Sequence, residues 1–205
     1  IDTYISIVLI DETGQRLFVG SENGSLRLYD LNDILIDEDC KIVCFASLFI
    51  SKMLNEDKLS LLFKQIKEKG IILCADSSTP KNGENASDLK YLQYIDHFFC
   101  NESEAIALCK TRDLYACEKI FYENGVKDVI IKCGEKGCLN KGKIYPAENI
   151  RCIDSTGAGD SFVAGFIHGL NAGCTQEECL KLATHFAALA CQNIGANTWV
   201  ETVKL

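Results

Sequence analysis

From Lys41 onward the chain alternates short, continuously apolar runs with stretches whose apolar residues recur every three or four positions. That alternation admits few folds. A strand that is apolar throughout is covered on both sides, and such strands belong to parallel sheets with helical connections. The apolar runs are 41–50, opening as Lys-Ile-Val-Cys-Phe; Ile71-Ile72-Leu73-Cys74-Ala75, ending on Asp76; His97-Phe98-Phe99-Cys100; and Asp128-Val129-Ile130-Ile131-Lys132. Between the first two, Leu59, Leu62, Phe63 and Ile66 trace the stripe of an amphipathic helix, and Gly70 stands where a helix C-cap belongs. The remaining segments predict a polar loop over 77–85, a short helix over 86–94, and helices from near Asn101 and over 114–124. Short strands around a turn in 137–153 and two helices over 159–172 and 176–193 complete the pattern. The expected fold is α/β, a mostly parallel sheet with helices on both faces.

The N-terminal segment departs from this alternation. Residues 4–10 and 16–20 are β-branched and apolar around Asp11-Glu12-Thr13-Gly14, which predicts a hairpin followed by a loop from Gly20 to Gly24. Ile5, Ile7 and Leu9 suit one buried face of it. The chain therefore divides into a small β unit over 1–25 and an α/β core over 26–205.

Composition removes several classes of function. Of 205 residues, 47% are hydrophobic and 24% charged, enough for a packed core. Twenty-one basic against 29 acidic residues give a net charge of −8, which disfavours nucleic acid and anionic membrane as partners but leaves room for a local phosphate site. No run is long enough to span a bilayer. The twelve cysteines form no CxxC and no zinc-finger spacing. Lying within apolar runs, they read as buried, reduced thiols of a cytoplasmic protein. The P-loop pattern GxxxxGK[ST] does not occur, which argues against a P-loop kinase. The chain begins at Ile1 and its one methionine is Met53, so a longer native product is expected.

The stretch Asp154-Ser155-Thr156-Gly157-Ala158-Gly159-Asp160-Ser161-Phe162 carries the chemistry. A strand-like run ends at Ile153, two glycines flank an alanine, and an apolar-periodic helix begins. Small residues let main-chain amides converge with no Cβ in the way, and a helix N-terminus favours an anion. The loop is a cradle for a phosphoryl group in transfer. Asp160 would repel a bound phosphate, so its place there suits a general base that takes the proton of an attacking hydroxyl. The competing reading is a tight turn with Asp160 as a helix cap.

Asp-x-Thr-Gly-Ala-Gly-Asp-x-Phe over 154–162 resembles the C-terminal signature of the PfkB/ribokinase family of carbohydrate kinases. Asn101-Glu102-Ser103-Glu104 resembles that family's Asn-x-x-Glu motif. Lys132-Cys133-Gly134-Glu135-Lys136-Gly137 is similar to its Gly-x-x-Gly turn beside the nucleotide, and Ala187 to Ala196 to its closing Ala-rich helix and Gly-Ala loop. The resemblance covers residues 70–197 and extends more weakly to Ile1. It implies a ribokinase-like fold in which the hairpin at 3–20 is part of a β lid. It also implies ATP-dependent phosphorylation of a hydroxyl on a sugar or sugar derivative, with Asp160 as base and the amides of Gly157, Ala158 and Gly159 as the anion hole. Asn101 and Glu104 would organise Mg²⁺, largely through water, near the ATP phosphates. Asp154 and Thr156 match positions beside a K⁺ site, although Asp154 reads equally as a turn former.

Nucleotide contacts would come from Gly134, Gly137, Lys132, Thr184, Gly195 and Ala196. Gly134 and Gly137 read alternatively as an ordinary hairpin turn, and Lys132 as a strand end in solvent. Thr184 stands where many relatives carry an Asn beside the adenine. Asp76 ends a strand at the carboxyl edge of the sheet, where it would support the phosphate or metal region through water. His97, His168, His185 and Trp199 read as packing or surface residues. The family's N-terminal part, with its first βαβ portion and a Gly-Gly sugar motif, is absent from this sequence, and the family's lid implies a homodimer for the intact protein. The loop over 77–85 resembles the fructokinase or ketodeoxygluconate-kinase side of the family. The alternatives are a nucleoside or other small-alcohol kinase of the same fold, and a noncatalytic nucleotide-binding fragment.

Overall fold

The computed structural model describes residues 6–10, 16–20, 28–51, 53–80 and 83–202. Its main sheet has six strands in chain order: β3 (Ile42–Phe45), β4 (Ile72–Asp76), β5 (His97–Asn101), β6 (Asp128–Lys132), β7 (Cys138–Asn140) and β8 (Lys143–Tyr145). The first four run parallel, and β6–β7–β8 continue antiparallel. β1 (Ser6–Ile10) and β2 (Arg16–Gly20) form the expected hairpin as a sheet of their own. Its turn at 11–14, the loop at 21–24 and the burial of Ile5, Ile7 and Leu9 lie outside the described residues.

Alternation along the strands divides the core in two. Leu73, Ala75, Phe98, Cys100, Val129, Ile131 and Leu139 face one way, toward α1 (Glu56–Glu68), α2 (Glu102–Cys109) and α3 (Leu114–Glu123). Cys74, Phe99, Ile130 and Cys138 face the other way, toward α4 (Ala158–Asn171) and α5 (Gln176–Cys191). The helices thus cover both faces, as the apolar runs require. In α1 the buried residues are the predicted Leu59, Leu62, Phe63 and Ile66; Asn55 caps its start, and Gly70 turns left-handed at φ +74° after its end. None of the twelve cysteines forms a disulfide among the described residues; Cys44 and Cys152 are exposed.

Three segments differ from expectation. The run at 41–50 holds its strand only to Phe45, because Ser47 takes a left-handed turn at φ +58°. The helix expected over 86–94 is two 3-10 turns, Ala86–Asp88 and Lys90–Tyr94, separated by Leu89 at ψ +82°. Within 137–153 the two strands end at Tyr145, and 146–153 has no regular structure.

Two contacts fix the height of α4 on the sheet. Phe166 is fully buried, its ring 5.1 Å from Phe99 and 5.0 Å from His97. Gly165 brings α4 against α5 so closely that a Cβ there would lie 2.7 Å from the Leu182 carbonyl oxygen and 2.9 Å from Phe186 Cγ. Gly165→Val is therefore expected to destabilise the protein by about 1–3 kcal/mol through overpacking, measured by chemical denaturation.

The amino edge of the sheet is tied by buried aspartates. Asp96 accepts from the Leu73 amide at 2.8 Å, from Lys127 at 2.8 Å and from Lys67. Asp128 is bonded to His97, Asn140 and Gln176. Burial alone would raise the Asp96 pKa, but the Leu73 amide and the two ammoniums hold it below the ordinary aspartate range. A carboxyl depressed in the folded state adds stability above its unfolded pKa and loses it as pH falls through the folded value. The wild-type protein should therefore lose stability from about pH 4 downward. Asp96→Asn should be less stable at pH 7 yet lose less between pH 7 and pH 3, measured by denaturation at both.

Candidate active site

The carboxyl edge of the parallel strands meets the N-terminus of α4. Side-chain parity sends Asp76, at the end of β4, and Lys132, at the end of β6, to the face that α4 covers. There Lys132 Nζ donates to Asp76 Oδ1 at 2.7 Å, with the side chains 15% and 11% exposed. Burial pushes the Asp76 pKa up; the Lys132 charge opposes that rise and the nearby Asp160 charge adds to it.

The loop into α4 has its shape for a local reason. Gly157 is left-handed at φ +75°, and a Cβ on it would fall 2.6–2.7 Å from Ala196 main-chain and Cβ atoms. Asp154 closes the same junction. Its Oδ1 accepts from the Thr156 amide at 2.9 Å and the Thr156 hydroxyl at 2.7 Å, and its Oδ2 accepts from the Gly195 amide at 3.0 Å. Among the described residues the amides of Gly157, Gly159 and Asp160 meet no acceptor, whereas that of Ala158 turns to the Ser155 carbonyl at 3.3 Å. A Cβ on Gly159 would sit 3.5 Å from Lys132 Nζ, so the ammonium stands over the open part of the turn. Asp160 is exposed in the first turn of α4, and its carboxylate has no hydrogen bond or ion pair among the described residues.

Asn101 and Glu104 form a reciprocal helix cap at the end of β5. The Glu104 amide donates to Asn101 Oδ1, and the Asn101 amide to Glu104 Oε2, both at 2.9 Å. Glu104 is 8% exposed; burial raises its pKa against the pull of the Asn101 amide and Lys132. Its Oε2 is taken up by that cap. No three His, Cys, Asp or Glu side chains converge as a metal cage among the described residues. Glu104, fixed by its cap, is the carboxylate here that would hold a hydrated Mg²⁺ through water.

Beside the α4 turn lies a cleft of about 810 Å³. Lys132, Gly134, Gly137, Ala158, Gly159 and Thr184 line it, whereas Asn101, Glu104, Asp154, Thr156, Asp160, Gly195 and Ala196 stand outside its wall. The volume is in the range of small-molecule and cofactor sites. Gly137 has a steric reason of its own, since a Cβ there would overlap the Tyr145 carbonyl oxygen at 1.9 Å. The Thr184 hydroxyl is spent on the Leu180 and Lys181 carbonyls of its own helix. Ala147, Asn149, Ile150 and Cys152 complete one wall from a segment in which the sequence signalled only strands and a turn. Trp199 is buried, donating to Ser161 Oγ at 3.2 Å and packed on Phe186, in accord with a packing role.

A fold of this kind, with an amide-lined helix start beside an unpaired aspartate at the carboxyl edge of a parallel sheet, is that of the ribokinase-like phosphotransferases. The model of the pfkB family carbohydrate kinases matches residues 1–203, and the chain belongs to that family. Ribokinase from Arabidopsis thaliana is 27% identical over 212 residues, covering 93% of this chain and 52% of that protein. The crystal structure of ribokinase from Thermotoga maritima superposes with a TM-score of 0.70 at 28% identity, over 96% of this chain and 66% of that one. A double mutant of fructokinase from Vibrio cholerae O395, solved with fructose, ADP and potassium ion bound, gives 0.76 at 21% identity, over 95% and 69%. The chain thus spans about half the length of the curated ribokinase that it matches.

Because its Cβ would meet main chain, Gly157→Ala should cost about 1–3 kcal/mol, the range of a strained left-handed residue. A lowered melting temperature is the expected result.

Proposed function

We propose that the protein transfers the terminal phosphoryl group of ATP to a hydroxyl of a sugar or sugar derivative. The observation that carries this reading is the placement of an unpaired carboxylate, Asp160, one residue beyond amides that have no acceptor. The hydroxyl proton passes to an Asp160 oxygen as the hydroxyl oxygen forms its bond to phosphorus. The bond between that phosphorus and the bridging oxygen breaks, and ADP leaves with the electron pair. The amides of Gly157 and Gly159 and the Lys132 ammonium face the negative charge that spreads over the transferred group, and such preorganised donors need no rearrangement during the step. Ala158 contributes its small side chain and, if its bond to Ser155 opens, a third amide.

The cleft beside this turn is the nucleotide site in this reading, bordered by Gly134 and Gly137 and by Thr184 on α5, with Gly195 and Ala196 supporting the turn from behind. Mg²⁺, held through water by Glu104 with Asn101 fixing that carboxylate, would supply further neutralisation of phosphate charge. K⁺ near Asp154 and Thr156 is the counterpart of the potassium in the Vibrio fructokinase. The acceptor is a polyhydroxy compound, and the intact protein is a dimer formed through its lid sheet.

The test is ADP release by the full-length protein with ATP, Mg²⁺ and a panel of sugars and nucleosides. Asp160→Ala should lower kcat by roughly 10²–10⁴-fold while leaving ADP affinity in place. Full turnover in that variant would remove the general base, and nucleotide binding without turnover of any acceptor by the wild type would make the chain a noncatalytic binder.

A further inference from the structure

Asp76 and Lys132 belong to strands that are not neighbours. Asp76 pairs in register with Phe99 of β5, and Lys132 with Asn101 of the same strand. To meet Asp76 the lysine stem must cross the end of β5 rather than run out into solvent, and its ammonium is largely buried where it arrives. We propose that Asp76 is a positioning residue that commits the Lys132 ammonium to the space over Gly159 and keeps it from pairing with Asp160. This rests on the phosphotransfer reading above and goes beyond it by giving the lysine a keeper.

One ammonium here stands among three carboxylates. Lys132 bonds Asp76 at 2.7 Å, its charge also acts on buried Glu104, and Asp160 follows directly after the glycine over which it stands. An ammonium has three donors, so the bond to Asp76 leaves two for an incoming anion. The lysine stem is flexible, whereas Asp76 is short and rooted in a buried strand, so the acceptor fixes the donor. Screening by water weakens pairing with exposed Asp160 relative to pairing with buried Asp76. With Asp76 neutralised, Glu104 and Asp160 become the remaining acceptors. A lysine drawn to Asp160 would empty the cradle of its cation and occupy the base.

The distinguishing measurement is the preference for a nucleotide that reaches the cradle over one that stops short of it. Calorimetric titration of the full-length protein with AMP-PNP and with ADP, in the presence of Mg²⁺, gives that preference as a ratio of affinities. Asp76→Asn should lower the ratio roughly tenfold, the weight of one hydrogen bond to a charged group, without weakening ADP. Lys132→Met should lower the ratio at least as far, the double variant should be no worse than Lys132→Met alone, and Asp76→Glu should recover part of the loss. An unchanged ratio in Asp76→Asn, equal loss of both nucleotides, or additive effects in the double variant would overturn the positioning role and leave the phosphotransfer reading standing. Failure of the wild type to bind either nucleotide would overturn both.

Discussion

The main chain of Gly157 lies against that of Ala196, and the geometry of the carboxyl edge follows from that contact. No side chain fits between the two loops at Gly157, where the turn before α4 is left-handed, and the amides of Gly157 and Gly159 meet no acceptor among the described residues. Asp154 then ties Thr156 on one side to Gly195 on the other with a single carboxylate. The rest of α4 is held from below by Phe166 in the core and from the side by Gly165 against α5. A helix start anchored in this way can present open amides and an exposed aspartate without internal partners, an arrangement that a free helix end would relax by fraying.

The electrostatics of the edge depend on spacing rather than on net charge. The chain is acidic overall, yet Lys132, largely enclosed at this edge, stands over the turn at Gly159. Around it, Asp76 is paired, Glu104 is half spent on a helix cap, and Asp160 is unpaired and wet. Three carboxylates so close to one another are tolerable because each sits in a different environment. Burial raises the pKa of Asp76 and Glu104, as expected for carboxyls whose charged form is costly away from water.

Much of this was legible in the sequence because it is local. Continuous apolar runs specify strands covered on both faces, but not which helices meet Leu73 and Val129 and which meet Cys74 and Ile130. Gly70, the Leu59–Ile66 stripe and the Gly-Ala-Gly-Asp turn announce themselves within a few residues, and Asn-x-x-Glu is a capping pattern before it is anything else. Contacts between distant segments gave no such signal. Nothing near Lys132 indicates that its partner lies 56 positions earlier, and nothing near Gly137 indicates that the Tyr145 carbonyl would exclude a side chain. The irregular wall at 147–152 has no period to read. In 86–94 burial of Ala86, Tyr91 and Leu92 overrides the α-helical spacing and leaves two tighter turns.

The distribution of thiols has a practical consequence. Burial raises the pKa of Cys74, Cys100, Cys138 and their neighbours in the core, so few of them present a thiolate to a reagent. Cys44 and Cys152 are the exposed pair, and Cys152 stands in the wall of the cleft. A fluorophore coupled at Cys152 would report directly on whether the cavity is filled; desolvation and the Asp76 charge push the Cys44 thiol up to about 11, so it competes little for the reagent, and no engineered cysteine would be needed.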